Sequence, residues 1–566
     1  MIKIKKEKLG GLVMKMKKIV ASLMLTGGLL LAACGNGESK ATEGGADGEP
    51  LTLTFFSADL TQDDPFTNPV AEKITEETGI KLEISHPVGG DEQAIPLMIA
   101  SGDYPDMIFA KGDINKMIDA GALIPLDDMI EERGDNLKEL YGDQMDRLRN
   151  SLEDPQIYHL GTGGVTNTYN VTSGTNQIAL KVLKQQGYPE IKTLEDYEKA
   201  LTNYIAENPT TEDGQEHIGL SLLGSDWRWL ITVGNPSGFA GGMQDDGQWH
   251  VDEATGDTVY KFQLPEVKEY FKWLNHMNDI GLLDPESFTQ TYDTYIAKLS
   301  SGRVLGLADQ DWNYMSAVAA LKQEGKDESL WAPLPTTLGE EYVSQSTKDY
   351  GFTGTTGISI TSTSEHQEEA FDFLDWMASE EAQILVNWGV EGINYEMVDG
   401  KRVQTEEDRE NSNTNANYNV ESGIGAYIWP FPAWGTGAVD SNGQSITRST
   451  REDVAANYTD ADKEALEAYG VDLWVDTFPS PEELGSPKHG KAYEYVLPSS
   501  SDVAIIQTEA DDYTTQKVTE AILASPEDFD AIWEEMQQGL LDMGIEKANA
   551  EMTDLTHQRL ELWGEE

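Results

Sequence analysis

The sequence contains a single cysteine, Cys34, and only eight histidines among its 566 residues. One cysteine cannot form an internal disulfide, and no two histidines stand in the H-E-x-x-H arrangement that a zinc hydrolase needs. The G-x-S-x-G turn of serine hydrolases is also absent. Residues 485–491 (GSPKHGK) imitate a phosphate-binding loop, but Ala492 occupies the place of the magnesium-binding Ser or Thr. These absences argue against nucleophilic, zinc-dependent and nucleotide chemistry.

Basic residues are scarce. Lys and Arg together number 40 against 100 Asp and Glu, which gives a formal net charge of −60 at pH 7. A surface of this sign repels the phosphates of nucleic acids and anionic lipid headgroups, so a nucleic-acid partner is not expected. An acidic, solvated surface favours solubility outside the cell.

The N-terminal segment has the pattern of a secretory signal. Lys15, Lys17 and Lys18 precede an apolar run at residues 19–31 that is too short for the roughly 20 residues of a membrane-spanning helix. The run ends in Leu-Ala-Ala-Cys, which resembles the bacterial lipobox, whose cysteine is acylated after cleavage. We therefore expect residues 1–33 to be removed and Cys34 to anchor the chain by lipid at the extracellular face of the cytoplasmic membrane.

One alternative to lipidation and one question about the start of translation concern this segment. An ordinary signal whose Cys34 only happens to lie near the cut would leave the protein without an anchor. Translation is expected to start at Met14 or Met16, because Gly10-Gly11 could be a ribosome-binding site read through as protein. Residues 34–49 contain little to bury and are predicted to be a flexible tether.

The chain after the tether is too long for one core, and it begins with an α/β pattern. Alternating strands are predicted at residues 51–56 and 80–85, with a helix at 64–79 between them. A second helix at 92–101 and a third strand at 106–110 follow. Strands and helices that alternate in this way favour a lobe built on a parallel sheet.

Six blocks carry a resemblance to a known family. They are LTLTFFSADL (51–60), EKITEETGIKLEI (72–84), PLMIASGDYPDMIFA (96–110), GALIPLDDMI (121–130), and the longer stretches 247–288 and 368–401. In order and spacing they are similar to the extracellular solute-binding proteins of ABC importers, of the family 1 type. The larger lipoprotein members from Gram-positive bacteria, commonly assigned to oligosaccharide uptake, are the most similar.

The resemblance implies an α/β, two-lobed fold of the type II periplasmic-binding-protein class, with each lobe a sheet flanked by helices and the ligand in the cleft between them. It places residues 50–160 and about 335–430 in lobe 1. Residues from about 165 to 330 and from about 431 to 566 would form lobe 2.

Some members of the family bind calcium in an Asp-rich loop of the second lobe. Here that loop is ENPTTEDGQEH (207–217), with Pro209, Thr210 and Thr211 where alternating carboxylates would stand. We therefore expect no metal and no other cofactor.

A cleft for sugars combines aromatic rings, which pack on the C–H face of the sugar, with polar groups that pair with its hydroxyls. Three stretches outside helical apolar stripes have this mixture, and two of them follow strands, where residues leave the sheet at its carboxyl edge. For each tryptophan, burial between helices is the alternative. The residues expected at the ligand are Trp227 and Arg228, then Asp311, Trp312 and Asn313, then Trp429 and Trp434.

Four further residues are expected to contact the ligand. Ser57 and Asp59 end the first strand, where the first lobe of such proteins commonly offers polar contacts. Trp388 and Glu391, in NWGVEGINY, resemble the family loop that faces the cleft, although a structural turn explains them equally well.

The sequence therefore predicts a lipid-anchored receptor that captures an oligosaccharide or other sugar and delivers it to the membrane subunits of an ABC permease, without covalent chemistry. A receptor for peptides or other small polar solutes is the alternative within binding proteins. A secreted polysaccharide-degrading enzyme is the alternative of another class, because a pair of catalytic carboxylates cannot be recognised among so many acids.

Overall fold

A computed structural model of the chain describes residues 49–60, 63–87, 93–166, 170, 172, 174–243, 247–349, 351–415, 417–485, 490, 492, 494, 497–498 and 501–564. The expected signal segment, the lipidation site at Cys34 and all but the last residue of the expected tether lie outside these ranges. Within them, no helix has both the length and the apolar character needed to cross a membrane.

The strands, in chain order, are β1 (Leu51–Ser57), β2 (Ile80–Ser85), β3 (Met107–Phe109), β4 (Leu160–Gly161), β5 (Gly163–Gly164), β6 (Asn176–Ala179), β7 (Ile218–Ser221), β8 (Trp249–Val251), β9 (Thr258–Tyr260), β10 (Val304–Ala308), β11 (Trp331–Pro333), β12 (Gly357–Ile360), β13 (Tyr395–Val398), β14 (Lys401–Gln404) and β15 (Pro432–Ala433).

The helices are α1 (Pro69–Thr78), α2 (Ala94–Ser101), α3 (Ile114–Asp119), α4 (Asp127–Arg133), α5 (Asp135–Tyr141), α6 (Leu180–Gln185), α7 (Leu194–Glu207), α8 (Asn235–Ala240), α9 (Pro265–Asp279), α10 (Tyr292–Ser300), α11 (Asp311–Gln323), α12 (Gln367–Met377), α13 (Glu380–Trp388), α14 (Glu406–Thr414), α15 (Tyr418–Ser422), α16 (Arg451–Ala456), α17 (Asp460–Tyr469), α18 (Pro481–Leu484), α19 (Asp502–Leu523), α20 (Phe529–Met543) and α21 (Ile545–Leu562).

Helix α1 begins later than the sequence pattern predicts. The side chain of Asn68 accepts a hydrogen bond from the backbone N–H of Ala71, so Asn68 caps the helix and Pro69 occupies its first position. Asp64 instead accepts from the N–H of Phe66 in a turn that precedes the helix. Gly79 ends the helix in the left-handed conformation (φ 69°), as its position after the apolar pattern predicts.

The first sheet has the strand order β2-β1-β3-β12-β4. Strand β1 pairs in parallel with both β2 and β3, in a register that places Leu53 beside Leu82 and Phe55 beside Met107. Strand β12 runs antiparallel to β3 and β4. The parallel part therefore comes from the N-terminal strands, and a strand from much later in the chain completes the sheet.

The second sheet has the strand order β11-β6-β10-β7. Strands β10 and β7 are parallel neighbours, whereas β6 runs antiparallel to β10 and β11. Helix α9 packs against α8, α19 and α20 and shares a hydrophobic core with this sheet; Val267, Phe271 and Leu274 lie on one of its faces and are fully buried.

Each sheet belongs to a separate hydrophobic core. The core of the first lobe takes residues from 53–160 and 352–431, and the core of the second lobe takes residues from 178–334 and 465–552. The chain thus passes between the cores after Leu160, returns before Phe352, and leaves the first core again after Phe431. Near two of these passages, β15 pairs in parallel with β5.

Residues 400–450, which the sequence pattern could not place, contribute Tyr418, Ile424, Tyr427 and Phe431 to the core of the first lobe. Strands β13 and β14 form a hairpin. The guanidinium of Arg448 pairs with the carboxylate of Asp408 on α14 (2.7 Å), and Tyr418 of α15 donates to the same carboxylate.

Candidate ligand-binding site

Asp59 and Lys111 lie just beyond the carboxyl edge of the first sheet. Strand β1 ends at Ser57 and strand β3 ends at Phe109, and because these strands are parallel neighbours, the residues that follow them come out at the same edge. The ammonium of Lys111 lies 2.6 Å from Oδ1 of Asp59. This ion pair forms the polar part of the first-lobe wall.

Trp429 completes this wall. Its indole Nε1 donates to Oδ2 of Asp59 (3.1 Å), and its ring packs edge-to-face on Phe109 with centroids 5.4 Å apart. Asp59 therefore uses one carboxylate oxygen for Lys111 and the other for Trp429, while 43 % of Trp429 stays exposed to solvent.

Two exposed tryptophans follow the parallel strands of the second sheet. Trp227 comes after β7 and Trp312 comes after β10, at the first turn of α11. Their rings are stacked, with an interplanar angle of 7° and centroids 6.3 Å apart. Trp227 is 57 % exposed and Trp312 is 49 % exposed, so both indole rings leave much apolar surface accessible to solvent.

Arg228 supports the Trp227 ring. Its guanidinium carbon lies 4.8 Å from the Trp227 ring centroid and 4.3 Å from that of Tyr292. Nη1 donates to Asp226 (2.8 Å) and Nε donates to Oδ1 of Asn313 (3.0 Å). These contacts hold the planar guanidinium against two rings and fix its orientation.

A buried carboxylate lies behind this wall. Oδ2 of Asp309 accepts hydrogen bonds from the Tyr295 hydroxyl (2.9 Å) and from Nδ2 of Asn313 (2.8 Å). Burial raises the pKa of Asp309 to about 7, although these donors act in the opposite direction. Asn313 is itself buried and connects Asp309 to Arg228, so it positions the wall from behind.

The two walls face each other. The ammonium of Lys111, from the first lobe, lies 5.5 Å from the ring centroid of Trp227, from the second lobe. Contacts thus connect Asp59, Lys111 and Trp429 of one wall with Trp227 of the other, and Trp227 with Trp312 and Arg228. Asp311, the first residue of α11, is exposed on the second wall and accepts from the backbone N–H of Trp312 (2.8 Å).

Sequence reasoning did not identify Lys111 as a site residue. The signal available was its position two residues after a buried strand, which is the same position that Asp59 occupies. The backbone of Lys111 adds a second sign, because its φ of 50° lies in the left-handed region that non-glycine residues adopt at a cost of about 1–2 kcal/mol.

Other predicted site residues have different surroundings. Trp388 is the last residue of α13 and is buried, with the guanidinium carbons of Arg402 and Arg448 at 5.5 and 5.4 Å from its ring centroid. Two arginines and Tyr395 therefore cover this indole. Glu391 is exposed and forms an isolated β-bridge with Tyr395.

Trp434 and Ser57 also make their contacts within the first lobe. The indole Nε1 of Trp434 donates to the carbonyl of Ala378 (2.7 Å), and its backbone N–H donates to Gln383 (3.1 Å). Ser57 has no exposed surface, and its hydroxyl lies inside the lobe rather than at the wall.

The loop expected to lack a metal is closed by its own hydrogen bonds. The backbone N–H of Thr211 donates to the carbonyl of Gln215 (2.8 Å), and the Gln215 side chain donates to Asp213 (2.7 Å). In the described part of the chain, no group of three or more His, Cys, Asp and Glu side chains is arranged to hold a metal ion.

Comparison with known proteins identifies a family. The profile of the bacterial extracellular solute-binding proteins matches residues 57–384. The fructooligosaccharide ABC transporter substrate-binding protein FusA of Streptococcus pneumoniae is 25 % identical over 403 residues, which cover 66 % of this chain and 71 % of FusA. The lipoprotein LipO of Bacillus subtilis is 23 % identical over 391 residues, which cover 66 % of this chain and 72 % of LipO.

Solved structures share the fold. The structure of FusA in complex with kestose has a TM-score of 0.64 at 18 % identity, covering 90 % of this chain and 99 % of FusA. The alginate-binding protein AlgQ2 without calcium ion has a TM-score of 0.62 at 17 % identity, covering 90 % of this chain and 98 % of AlgQ2. The predicted two-lobed α/β fold of the periplasmic-binding-protein class is thereby confirmed.

Proposed function

The chain belongs to the family of bacterial extracellular solute-binding proteins, and from this we propose that its cleft holds an oligosaccharide. As the resemblance implied, it is the extracellular solute-binding component of an ABC importer. The observation that carries the proposal is the stacked, half-exposed pair of Trp227 and Trp312, which faces the ion pair of Lys111 and Asp59.

Sugars fit this combination of groups. The C–H face of a pyranose or furanose ring packs on an indole, and covering roughly 80 Å² of one exposed indole contributes about 2 kcal/mol at ~25 cal/mol per Å². The ammonium of Lys111 supplies donors and the carboxylate of Asp59 supplies acceptors for sugar hydroxyls. Trp429 offers a third exposed indole on the first-lobe wall.

Closure of the lobes provides the means of capture. A ligand that contacts Trp312 on one wall and Asp59 on the other stabilises the closed state over the open state, and the hinge motion follows from that difference. FusA, whose name describes binding of fructooligosaccharides, supports an oligosaccharide as the solute class. Capture and release by hinge motion require no covalent step.

We further propose that Cys34 carries a lipid anchor. LipO, a relative with 23 % identity, is named a lipoprotein, and Leu31-Ala-Ala-Cys34 has the lipobox pattern. In a bacterium that exports the protein, a clickable fatty-acid analogue should label the wild type in the membrane fraction. The Cys34→Ala variant should be unlabelled and released. A labelled, membrane-bound Cys34→Ala variant would contradict the anchor.

The oligosaccharide proposal is tested by binding. Fructo-, malto-, xylo- and mannooligosaccharides are screened by thermal shift, because a ligand raises stability by RT ln(1 + [L]/Kd), about 2.7 kcal/mol at 100 times Kd. For the sugar that binds, Trp312→Ala should weaken the Kd by about tenfold or more, since the lost contact is worth roughly 1.4–2 kcal/mol.

The matched control is Met315→Ala, which shortens another exposed side chain one turn further along α11. It should leave the Kd unchanged. The proposal fails if no oligosaccharide shifts the melting temperature, or if Trp312→Ala and Met315→Ala have the same affinity as the wild type. Release of reducing ends from the bound sugar would instead support the alternative of an enzyme.

A further inference from the structure

We infer that the oligosaccharide held in the cleft is uncharged, rather than one that carries uronates or other anionic groups. This inference rests on the proposed function and concerns the same walls. Lys111 and Arg228 are the two cations that the contacts of the site bring together. Each of them is already paired with a carboxylate of its own lobe, and this is the basis of the inference.

Lys111 is paired in the first lobe. Its ammonium lies 2.6 Å from Oδ1 of Asp59, and the second oxygen of Asp59 accepts from the indole of Trp429 at 3.1 Å. An anionic sugar that took Lys111 would have to displace Asp59 or lie beside it. Either arrangement places two negative charges close together in a partly desolvated cleft, which is unfavourable.

Arg228 is paired in the second lobe. Nη1 lies 2.8 Å from Oδ2 of Asp226, Nε donates to Asn313, and rings cover the guanidinium at 4.8 and 4.3 Å. The side chain is only 17 % exposed. An arginine that recognises a sugar carboxylate would present two N–H groups to it, whereas Nη1 and Nε of Arg228 donate within their own lobe.

The remaining charge of the second wall is also negative. Asp311 is exposed beside Trp312. Carboxylates therefore outnumber cations among the charged residues that these contacts join. A neutral sugar avoids this imbalance, since an ion pair keeps donors on the ammonium and lone pairs on the carboxylate that can bind hydroxyls.

The inference is tested with ligands matched in length, of which tetragalacturonate and its methyl ester also share their linkage. Neutral fructo-, malto-, xylo- and mannotetraose, anionic tetragalacturonate and its neutral methyl ester, and cationic chitosan tetramer are compared by isothermal titration calorimetry. We expect a neutral tetramer to bind, and the anionic tetragalacturonate to bind at least about tenfold more weakly. For the neutral ligand, the Kd should change by less than about twofold between 20 and 500 mM NaCl, because no net charge is screened.

A charge variant gives an independent readout. Asp226→Asn keeps the shape of its side chain but leaves Arg228 without its counter-charge, so the Kd for tetragalacturonate should improve by about fivefold or more. Asp213→Asn, an exposed carboxylate in the 207–217 loop, changes the net charge equally and should produce no such gain.

The outcomes separate the two proposals. Tightest binding of an anionic or cationic tetramer overturns the inference and leaves sugar binding intact. An equal response of Asp226→Asn and Asp213→Asn overturns the pairing argument in the same way. Failure of every tetramer to bind overturns the proposed function, and the inference with it.

Discussion

Lys111 combines an unfavourable backbone with a useful side chain. Its φ of 50° lies in the left-handed region, and its ammonium contacts Asp59 and the Trp227 ring. A strained conformation at a residue next to exposed aromatic rings indicates that the position of its side chain has a function.

Two variants at position 111 separate strain from function. Lys111→Gly should be more stable than Lys111→Ala by about 1 kcal/mol, because glycine adopts positive φ without steric cost. Both lose the ammonium, so both should bind the sugar with the same reduced affinity. Chemical denaturation measures the first quantity and calorimetry the second.

Asp399→Gly serves as the control, since Asp399 has a φ of 51° in the turn between β13 and β14. It should gain stability without a change in affinity. If Lys111→Gly and Lys111→Ala are equally stable, the left-handed conformation of Lys111 is not a source of strain.

Asp511, on α19, gives the protein a pH dependence that is separate from the ligand. It accepts a hydrogen bond from the Tyr260 hydroxyl (2.7 Å), and burial raises its pKa to about 7. The folded protein therefore keeps this proton between about pH 4 and pH 7, whereas the unfolded chain loses it near pH ~3.9. Stability from this group is fully present at low pH and is lost as the pH rises through about 7, by up to about 1.4 kcal/mol per pH unit.

Asp511→Asn should remove this contribution. Its free energy of unfolding, measured by urea titration at pH 4.5 and pH 7.5, should fall less over that interval than that of the wild type. Glu509→Gln, at an exposed position of the same helix, should keep the wild-type difference. A wild-type difference in Asp511→Asn as well would show that Asp511 does not titrate in this range.

At the scale of single elements, helix caps depend only on neighbouring residues and can therefore be predicted from the sequence. Thr193 caps α7: its hydroxyl accepts from the backbone N–H of Asp196, and the Asp196 carboxylate accepts in return from the backbone N–H of Thr193 (3.1 Å). Thr193→Ala should destabilise the protein by about 1 kcal/mol. The exposed Thr202 lies inside the same helix, and Thr202→Ala should be neutral or slightly stabilising. Equal melting temperatures of the two variants would contradict a role for the cap.

The same locality explains which parts of the site could be predicted. Trp227 and Trp312 follow strands whose apolar pattern is visible in the sequence, and a residue that follows a parallel strand emerges at the carboxyl edge. The structure does place both rings there, exposed and stacked. That they bind the ligand remains a prediction.

Trp388 shows where sequence reasoning ends. The family loop suggested a position facing the cleft, but the indole is covered by Arg402 and Arg448, which follow it by 14 and 60 residues. Such cover depends on how a hairpin and a distant loop fold back onto α13. Neither periodicity nor spacing contains that information.

At the scale of the whole molecule, the class of fold was predictable and the connections were not. The first βαβ pattern and the length of the chain indicate α/β lobes. The antiparallel strand β12 pairs with β3 and β4, which lie far away from it in sequence. Long-range pairing of short strands leaves only a weak local signal, because strand preference depends on neighbours and burial.

Two walls from different lobes make closure a property of the whole molecule. Trp227 and Trp312 belong to the second lobe, while Asp59, Lys111 and Trp429 belong to the first, so a bound sugar can close the cleft only if it contacts both.

Small-angle X-ray scattering should show a smaller radius of gyration when the wild type is saturated with its sugar. The double variant Lys111→Ala/Trp429→Ala keeps the indole pair of the second lobe and should still bind, more weakly, but with a smaller decrease at saturation. The exposed pair Lys184→Ala/Glu464→Ala, on the surface of the second lobe, is the control and should close like the wild type. A radius of gyration that does not change when the wild type is saturated would contradict closure, and an undiminished decrease in the double variant would show that the first-lobe wall does not drive it.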